Sequence, residues 1–385
     1  MAVAIQARGG ITSEILSSFF TTTENEVEKR QQSLDSLRGV AVLMVIVAHL
    51  AGSIGSDLSL KVFAIGVHGV DVFFALSGFL IGGILLDRKA SDRLIPTFYA
   101  RRALRILPAY GLLLASYFIV RALDNWTKFG LIEELYMPDR AAWSYFLLLQ
   151  NNVMAYVNTM VPAWLMVTWS LAVEEQFYLV SPWIARIAST RKVVVLCLLT
   201  MVVCPLIRYG LVVKGSWLAS SLLLVARADA LSVGVLLAVI HRTEWINRVG
   251  RTRLGIIAAV LSVFTLGYTW QMGSTLALSA RNLHGVLVWE PTIWGLGSMG
   301  VIAYLAALPN TSGIGLLNYA GKTSYFVYLF HEPAILLGTI VAAKSGANIL
   351  VACCVFLALV WGLAELSWRV LEGPSQAFGR ARFRY

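Results

Sequence analysis

Charge is scarce in this sequence. Asp, Glu, Lys and Arg together make up 14% of the residues, where soluble globular chains carry about a quarter. Too few ionic side chains are present to cover a water-facing surface, which excludes an ordinary soluble enzyme. Acids are the scarcer sign, 21 against 31 basic residues. In an apolar chain that excess of Lys and Arg mainly sets membrane topology, so no nucleic-acid partner is expected. Cysteine is rare too. Cys197, Cys204, Cys353 and Cys354 all lie in apolar runs, without disulfide placement or metal-ligand spacing to histidine. They read as small hydrophobes, and no metal is expected. No Walker loop, HExxH or GxSxG occurs, which leaves those chemistries without a motif. No internal repeat is visible, so the inverted-repeat signature of many transporters is missing. Residues 1–32 hold no apolar core of signal-peptide length; no cleaved signal is expected, and the run from Gly39 is expected to start insertion.

Apolar residues are what the chain has in abundance, 58% of the total, with a mean hydropathy of +0.73. The expected fold is an all-α, multi-pass transmembrane bundle. Ten runs have spanning length: 38–56, 63–86, 104–121, 168–187, 193–213, 217–240, 254–271, 285–307, 323–343 and 348–370. Placing the N-terminus inside puts 22 basic residues in cytoplasmic segments and 8 outside, so both termini are expected to be cytoplasmic. The domain reading is a polar tail (1–32), a transmembrane domain (33–374) and a short basic tail (375–385). Gly78-x-x-x-Gly82 is expected to let two helices approach closely. The long external segment 122–167, with Trp126, Glu133, Glu134, Tyr136, Asp139, Trp143 and Tyr145, reads either as a binding element or as an interfacial apron.

Against this background a few ionisable residues stand out. The first run, Ser33 to His49, carries Arg38 and, eleven residues later, His49. Eleven helical steps return to nearly the same face after about 16 Å of rise. Asp71, Glu174, Glu175, Asp229 and His331 lie within other runs at roughly the depth of His49. A bundle accommodates that many by turning them toward a shared polar cavity. The competing reading for Arg227 and Asp229 is a structural ion pair with a neighbouring helix. Arg101, Arg102 and Arg105 lie where a cytoplasmic loop becomes a helix. Three guanidinium forks suit a polyphosphate; the competing reading is anchoring to lipid headgroups. With Arg38 on the same side, they look like a phosphate clamp leading toward a base. His68, His241 and His284 are expected to be incidental.

These stretches resemble the acyltransferase-3 family of integral membrane acyltransferases. The resemblance rests on Leu34-Asp-Ser-Leu-Arg-Gly with His49, Gly69 to Ile81, Phe98 to Pro108, Trp169 to Tyr178, Arg227-Ala-Asp-Ala-Leu231, Ser324 to Pro333 and Glu372-Gly-Pro374, in order. It implies transfer of an acyl group, most often acetyl from acetyl-CoA, to a hydroxyl of an exported glycan or small molecule. It also implies Arg38 and His49 as the central pair, Arg102 and Arg105 near the donor, and Glu174 as the stronger of the two adjacent acids. Some relatives carry a fused esterase-like domain after the last span; with the sequence running only to Tyr385, none is expected here.

The mechanism expected from these residues docks CoA phosphates on Arg38, Arg101, Arg102 and Arg105. It gives His49 the role of general base, with direct transfer preferred to an acyl-histidine intermediate. Asp71 or Glu174 orients the imidazole. Ser77, Tyr178 or His331 binds the acceptor or the oxyanion, with Asp229 as a further substrate-binding candidate. The rival readings are another donor such as succinyl-CoA, or a transporter or flippase using the same acids. The expected location is the cytoplasmic membrane, among lipid.

Overall fold

The computed structural model describes residues 32–54, 56–127, 141–160, 162–243, 245–273, 280–309 and 313–385. Among the described residues every regular element is a helix. Ten helices have 18 or more residues and fall on the ten apolar runs. They are α1 (Gln32–Gly52), α2 (Gly69–Arg88), α3 (Leu94–Thr127), α4 (Thr168–Ile187), α5 (Thr190–Val213), α6 (Leu224–His241), α7 (Arg251–Gly273), α8 (Ala280–Ala306), α9 (Gly315–Ser345) and α10 (Ile349–Ser367). Eight helical stretches are long and apolar enough to cross a membrane by length and composition. α4 and α8 are the long helices outside that set; Glu174, Glu175 and Gln176 dilute α4. The protein is a multi-pass membrane bundle. Its outer face presents bare aliphatic side chains such as Val195, Leu199, Val263 and Leu359, as a lipid-facing surface does.

Local chemistry sets the helix ends. The Asn348 side chain accepts from the N–H groups of Leu350 (2.9 Å) and Val351 (3.3 Å), donors that lack a partner within the first turn of α10. Ser189 caps α5 through the Lys192 N–H. α9 ends on Gly346 at φ +70°, a left-handed conformation that glycine adopts without a Cβ clash.

The second apolar run is broken where a single helix was expected. A short helix, Asp57–Gly66, precedes α2, and the chain bends at Val67 and His68. Gly66 and Gly69 press this bend onto α1: a Cβ at either would overlap the carbonyl oxygens of Met44 or Ala41. The expected Gly78/Gly82 seam is present. A methyl group at Gly78 would strike the Leu231 carbonyl, and Gly234 meets Ala75 and Phe79 in return, so α2 and α6 pack backbone to backbone.

α1 and α9 pack in the same way. Gly39 faces the Leu317 carbonyl and Gly321 the Asp35 carbonyl. Ser36 donates to Asn318 Oδ1 at 2.6 Å, and His49 meets His331 at 2.9 Å, both pairs 282 residues apart. The constant offset makes the two helices parallel and in register. The main apolar cluster joins α1, α2, α3, α9 and α10 through Val42, Ile81, Phe98, Leu113, Phe326 and Cys353. After a π turn, Trp368–Glu372, the last helix, Gly373–Arg382, returns the basic tail to α3, where Thr97 Oγ1 donates to the Arg384 carbonyl at 3.1 Å.

Of the segment 122–167, residues 128–140 lie outside the described residues, and with them Glu133, Glu134, Tyr136 and Asp139. The rest forms short helices, Ala142–Phe146 and Gln150–Val157. Trp126 and Trp143 are exposed, whereas Tyr145 is buried. The side chain of His284 and residues 1–31 also fall outside the described set.

Candidate active site

The register of α1 against α9 brings two histidines together. His49 Nδ1 lies 2.9 Å from His331 Nε2 and 3.4 Å from Glu332 Oε1. The two ring planes lie within 28° of each other with centroids 5.0 Å apart, so the imidazoles meet edge to edge. His331 Nδ1 is 2.7 Å from the Tyr328 carbonyl oxygen, and the Tyr328 hydroxyl meets Ser170 Oγ on α4 at 2.6 Å. His331 is fully buried, whereas the His49 side chain keeps 18% of its surface accessible. His49 is therefore not walled in by aliphatic packing.

The arginines gather where α1 begins. Arg38 pairs with Asp35 one turn before it. Glu174, on α4, lies within electrostatic reach of Arg105, Arg102 and Arg38. The Tyr178 hydroxyl donates to Glu174 Oε2 at 3.1 Å, and Ser77 hydrogen-bonds to the same phenol. Arg102 stacks over the rings of Phe98 and Tyr178, 5.7 Å from each centroid. Glu175 Oε1 is buried without a hydrogen-bond partner among the described residues. Tyr328 ties His331 on α9 to Ser170 on α4, the helix that carries Glu174. Two polar groups thus lie inside the bundle, one around the arginines and Glu174 and one around His49.

Several residues expected in these groups lie elsewhere. Asp71 does not orient His49. One of its oxygens takes Arg227 Nη2 at 2.7 Å and the other His68 Nδ1 at 2.7 Å. The far nitrogen of His68 meets Glu290 at 3.0 Å, and its ring stacks on Trp294 at 4.9 Å. His68, expected to be incidental, instead ties the α2 bend to α8. The competing structural reading of Arg227 is the one the geometry supports. Asp229, expected as a substrate-binding candidate, is engaged in a structural pair instead. It is fully buried against Arg208, 2.8 Å away, and accepts from Thr292 at 2.6 Å. Arg101 turns to the tail, donating to the Phe383 carbonyl at 2.9 Å under the Tyr385 ring. Glu332 is a site residue beyond those expected from the sequence. Its signal was the same as that of Glu174: an acid beside another polar residue within an apolar run.

His49, His331 and Glu332 present three ligand-type atoms within 4.8 Å of one another. Two imidazole nitrogens bound to one tetrahedral zinc at about 2.0–2.1 Å stand about 3.3 Å apart. The 2.9 Å between His49 and His331 is instead a hydrogen-bond distance, so the pair fits a shared proton better than a shared ion.

A family model described as an acyltransferase domain matches residues 31–365. The peptidoglycan O-acetyltransferase OatA of Listeria monocytogenes is 28% identical, over 90% of this chain and 56% of its own length. The putative peptidoglycan O-acetyltransferase YrhL of Bacillus subtilis is also 28% identical, over 91% and 55%. The O-acetyltransferase OatA of Staphylococcus aureus is 25% identical, over 91% and 58%. The chain thus spans a little over half the length of these relatives. No solved structure matches. The matched region takes in both polar groups, from Arg38 to Glu332, and the chain belongs to the acyltransferase-3 family.

Proposed function

We propose that this protein moves an acetyl group from cytoplasmic acetyl-CoA through the bundle to a hydroxyl of an exported glycan of the peptidoglycan class. Arg38, Arg102 and Arg105 receive the donor phosphates, as guanidinium forks receive phosphate oxygens elsewhere. The thioester reaches His49 along α1. His49 accepts the proton of the acceptor hydroxyl as the oxygen attacks the thioester carbon. The C–S bond breaks and the CoA thiolate recovers the proton. Glu174, Tyr178 and Ser77, hydrogen-bonded to one another, stand beside the clamp. The protein lies in the cytoplasmic membrane with both termini on the cytoplasmic side, so that His49 sits past the membrane midplane and serves an acceptor on the far side.

The observation that carries this reading is that α1 bears both an arginine beside Glu174 and, eleven residues on, an imidazole held by His331 and Glu332. The acceptor class follows from the Listeria and Bacillus relatives, one a peptidoglycan O-acetyltransferase and the other a putative one. The test is reconstitution into proteoliposomes with radiolabelled acetyl-CoA and peptidoglycan fragments on opposite sides. Label covalently attached to the glycan supports the proposal. Glycan or acetyl-CoA uptake without covalent transfer supports a transporter instead. Transfer from succinyl-CoA in preference to acetyl-CoA overturns the choice of donor.

A further inference from the structure

We propose that His331 is a positioning residue that selects which nitrogen of His49 acts as the base, and that Glu332 balances the charge His49 acquires. The inference rests on His49 being the base and assigns its tautomer from hydrogen-bond direction alone.

The argument begins at an atom with no choice. A backbone carbonyl oxygen only accepts, so His331 Nδ1, 2.7 Å from the Tyr328 oxygen, carries a proton. In a neutral imidazole the other nitrogen is then a bare acceptor. That nitrogen, His331 Nε2, faces His49 Nδ1 at 2.9 Å, so His49 Nδ1 is the donor. The lone pair of neutral His49 is left on Nε2. Were His331 doubly protonated, His49 Nδ1 would have to accept, and Nε2 would hold the proton and be useless as a base.

Full burial of His331 removes it from contact with any acceptor sugar, which distinguishes this role from oxyanion binding. Glu332 Oε1, 3.4 Å from the same His49 Nδ1, sits beside the ring that becomes an imidazolium. In the forward step the hydroxyl proton moves to His49 Nε2, the O–C bond forms and the C–S bond breaks. The leaving thiolate then takes the proton back from Nε2. His331 and Glu332 end each cycle with the protons they began with. An acid orients and balances a catalytic histidine in serine-protease triads by the same logic; here a buried histidine directs the ring and an adjacent glutamate supplies the charge.

The experiment combines nitrogen NMR with steady-state kinetics on the full chain in lipid. Ring-15N histidine labels five residues, and His49→Ala identifies the His49 resonances. The expected wild-type signal is the Nδ1–H tautomer at His49, converting to the Nε2–H form in His331→Phe. His331→Phe should lower kcat about 10²-fold or more with the donor KM unchanged. His331→Gln, whose side-chain oxygen can accept from His49 Nδ1, should recover to within about tenfold of wild type. Glu332→Gln should lower kcat about 10-fold or more, again without a change in donor KM. A wild-type Nε2–H tautomer, or unchanged kcat in His331→Phe, overturns the proposal, as does chelator-sensitive activity restored by zinc. If His331→Phe does not fold, the wild-type tautomer decides alone. Wild-type turnover in His49→Ala would instead reject the function on which the inference rests.

Discussion

Single side chains in this bundle fall into two classes, and substitution separates them. Arg208 is fully buried between α5, α6 and α8, holding Asp229 and the carbonyls of Val288 and Ala226. Removing one member of a buried pair leaves the other uncompensated, at about 3–5 kcal/mol. Arg208→Met should therefore lower the melting temperature in detergent steeply. Arg105→Ala should leave the melting temperature nearly unchanged and raise the donor KM about 10–100-fold, the loss of one or two charge-assisted hydrogen bonds. Donor binding unchanged in a titration of Arg105→Ala would reject the clamp. Much of this was legible at the residue scale, because an arginine or histidine in an apolar run is conspicuous. What the sequence withheld was rotation about the helix axis. Asp71 and Glu174 lie at similar depth, yet Asp71 faces Arg227 and His68 while Glu174 faces the arginine cluster. Depth can be counted along a run; facing depends on which neighbour packs against it.

Helices explain why residues 282 positions apart meet. The contact between His49 and His331 depends on how closely α1 approaches α9, and Gly39 and Gly321 permit that approach. Gly321→Val would drive a side chain into the Asp35 carbonyl. It should destabilise the bundle by about 1–3 kcal/mol and lower kcat by separating the histidines. Gly111→Ala on α3 is the control. Its Cβ would meet nothing within 4 Å, so it should stabilise by about 0.5–1 kcal/mol and leave turnover intact. Melting temperature and kcat measured side by side distinguish the two. The Gly78/Gly82 seam was readable because both glycines share one helix. The Gly39/Gly321 seam was not, because it is split between the first and ninth long helices. Likewise the bend at Val67 and His68 left no proline to mark it.

At the scale of the molecule, an all-helical set of elements among the described residues reflects a rule the membrane enforces: backbone groups in lipid must be satisfied within the segment. The proposed orientation rests on the distribution of basic residues and can be tested directly. In a background without the exposed Cys354, Arg93→Cys should resist a membrane-impermeant maleimide applied to intact cells, and Lys214→Cys should react. Both positions are exposed. The opposite pattern would invert the bundle and put the arginine cluster on the wrong side for a cytoplasmic donor.

The most direct measurement is acetyl transfer by His49→Ala in sealed proteoliposomes, with acetyl-CoA on the side of Arg38 and glycan on the other. A base removed from proton transfer costs about 10²–10⁴-fold, so product should fall by at least about 10²-fold while the variant keeps the wild-type melting temperature and donor affinity. Turnover at the wild-type rate in that variant would show that the imidazole takes no part in the reaction.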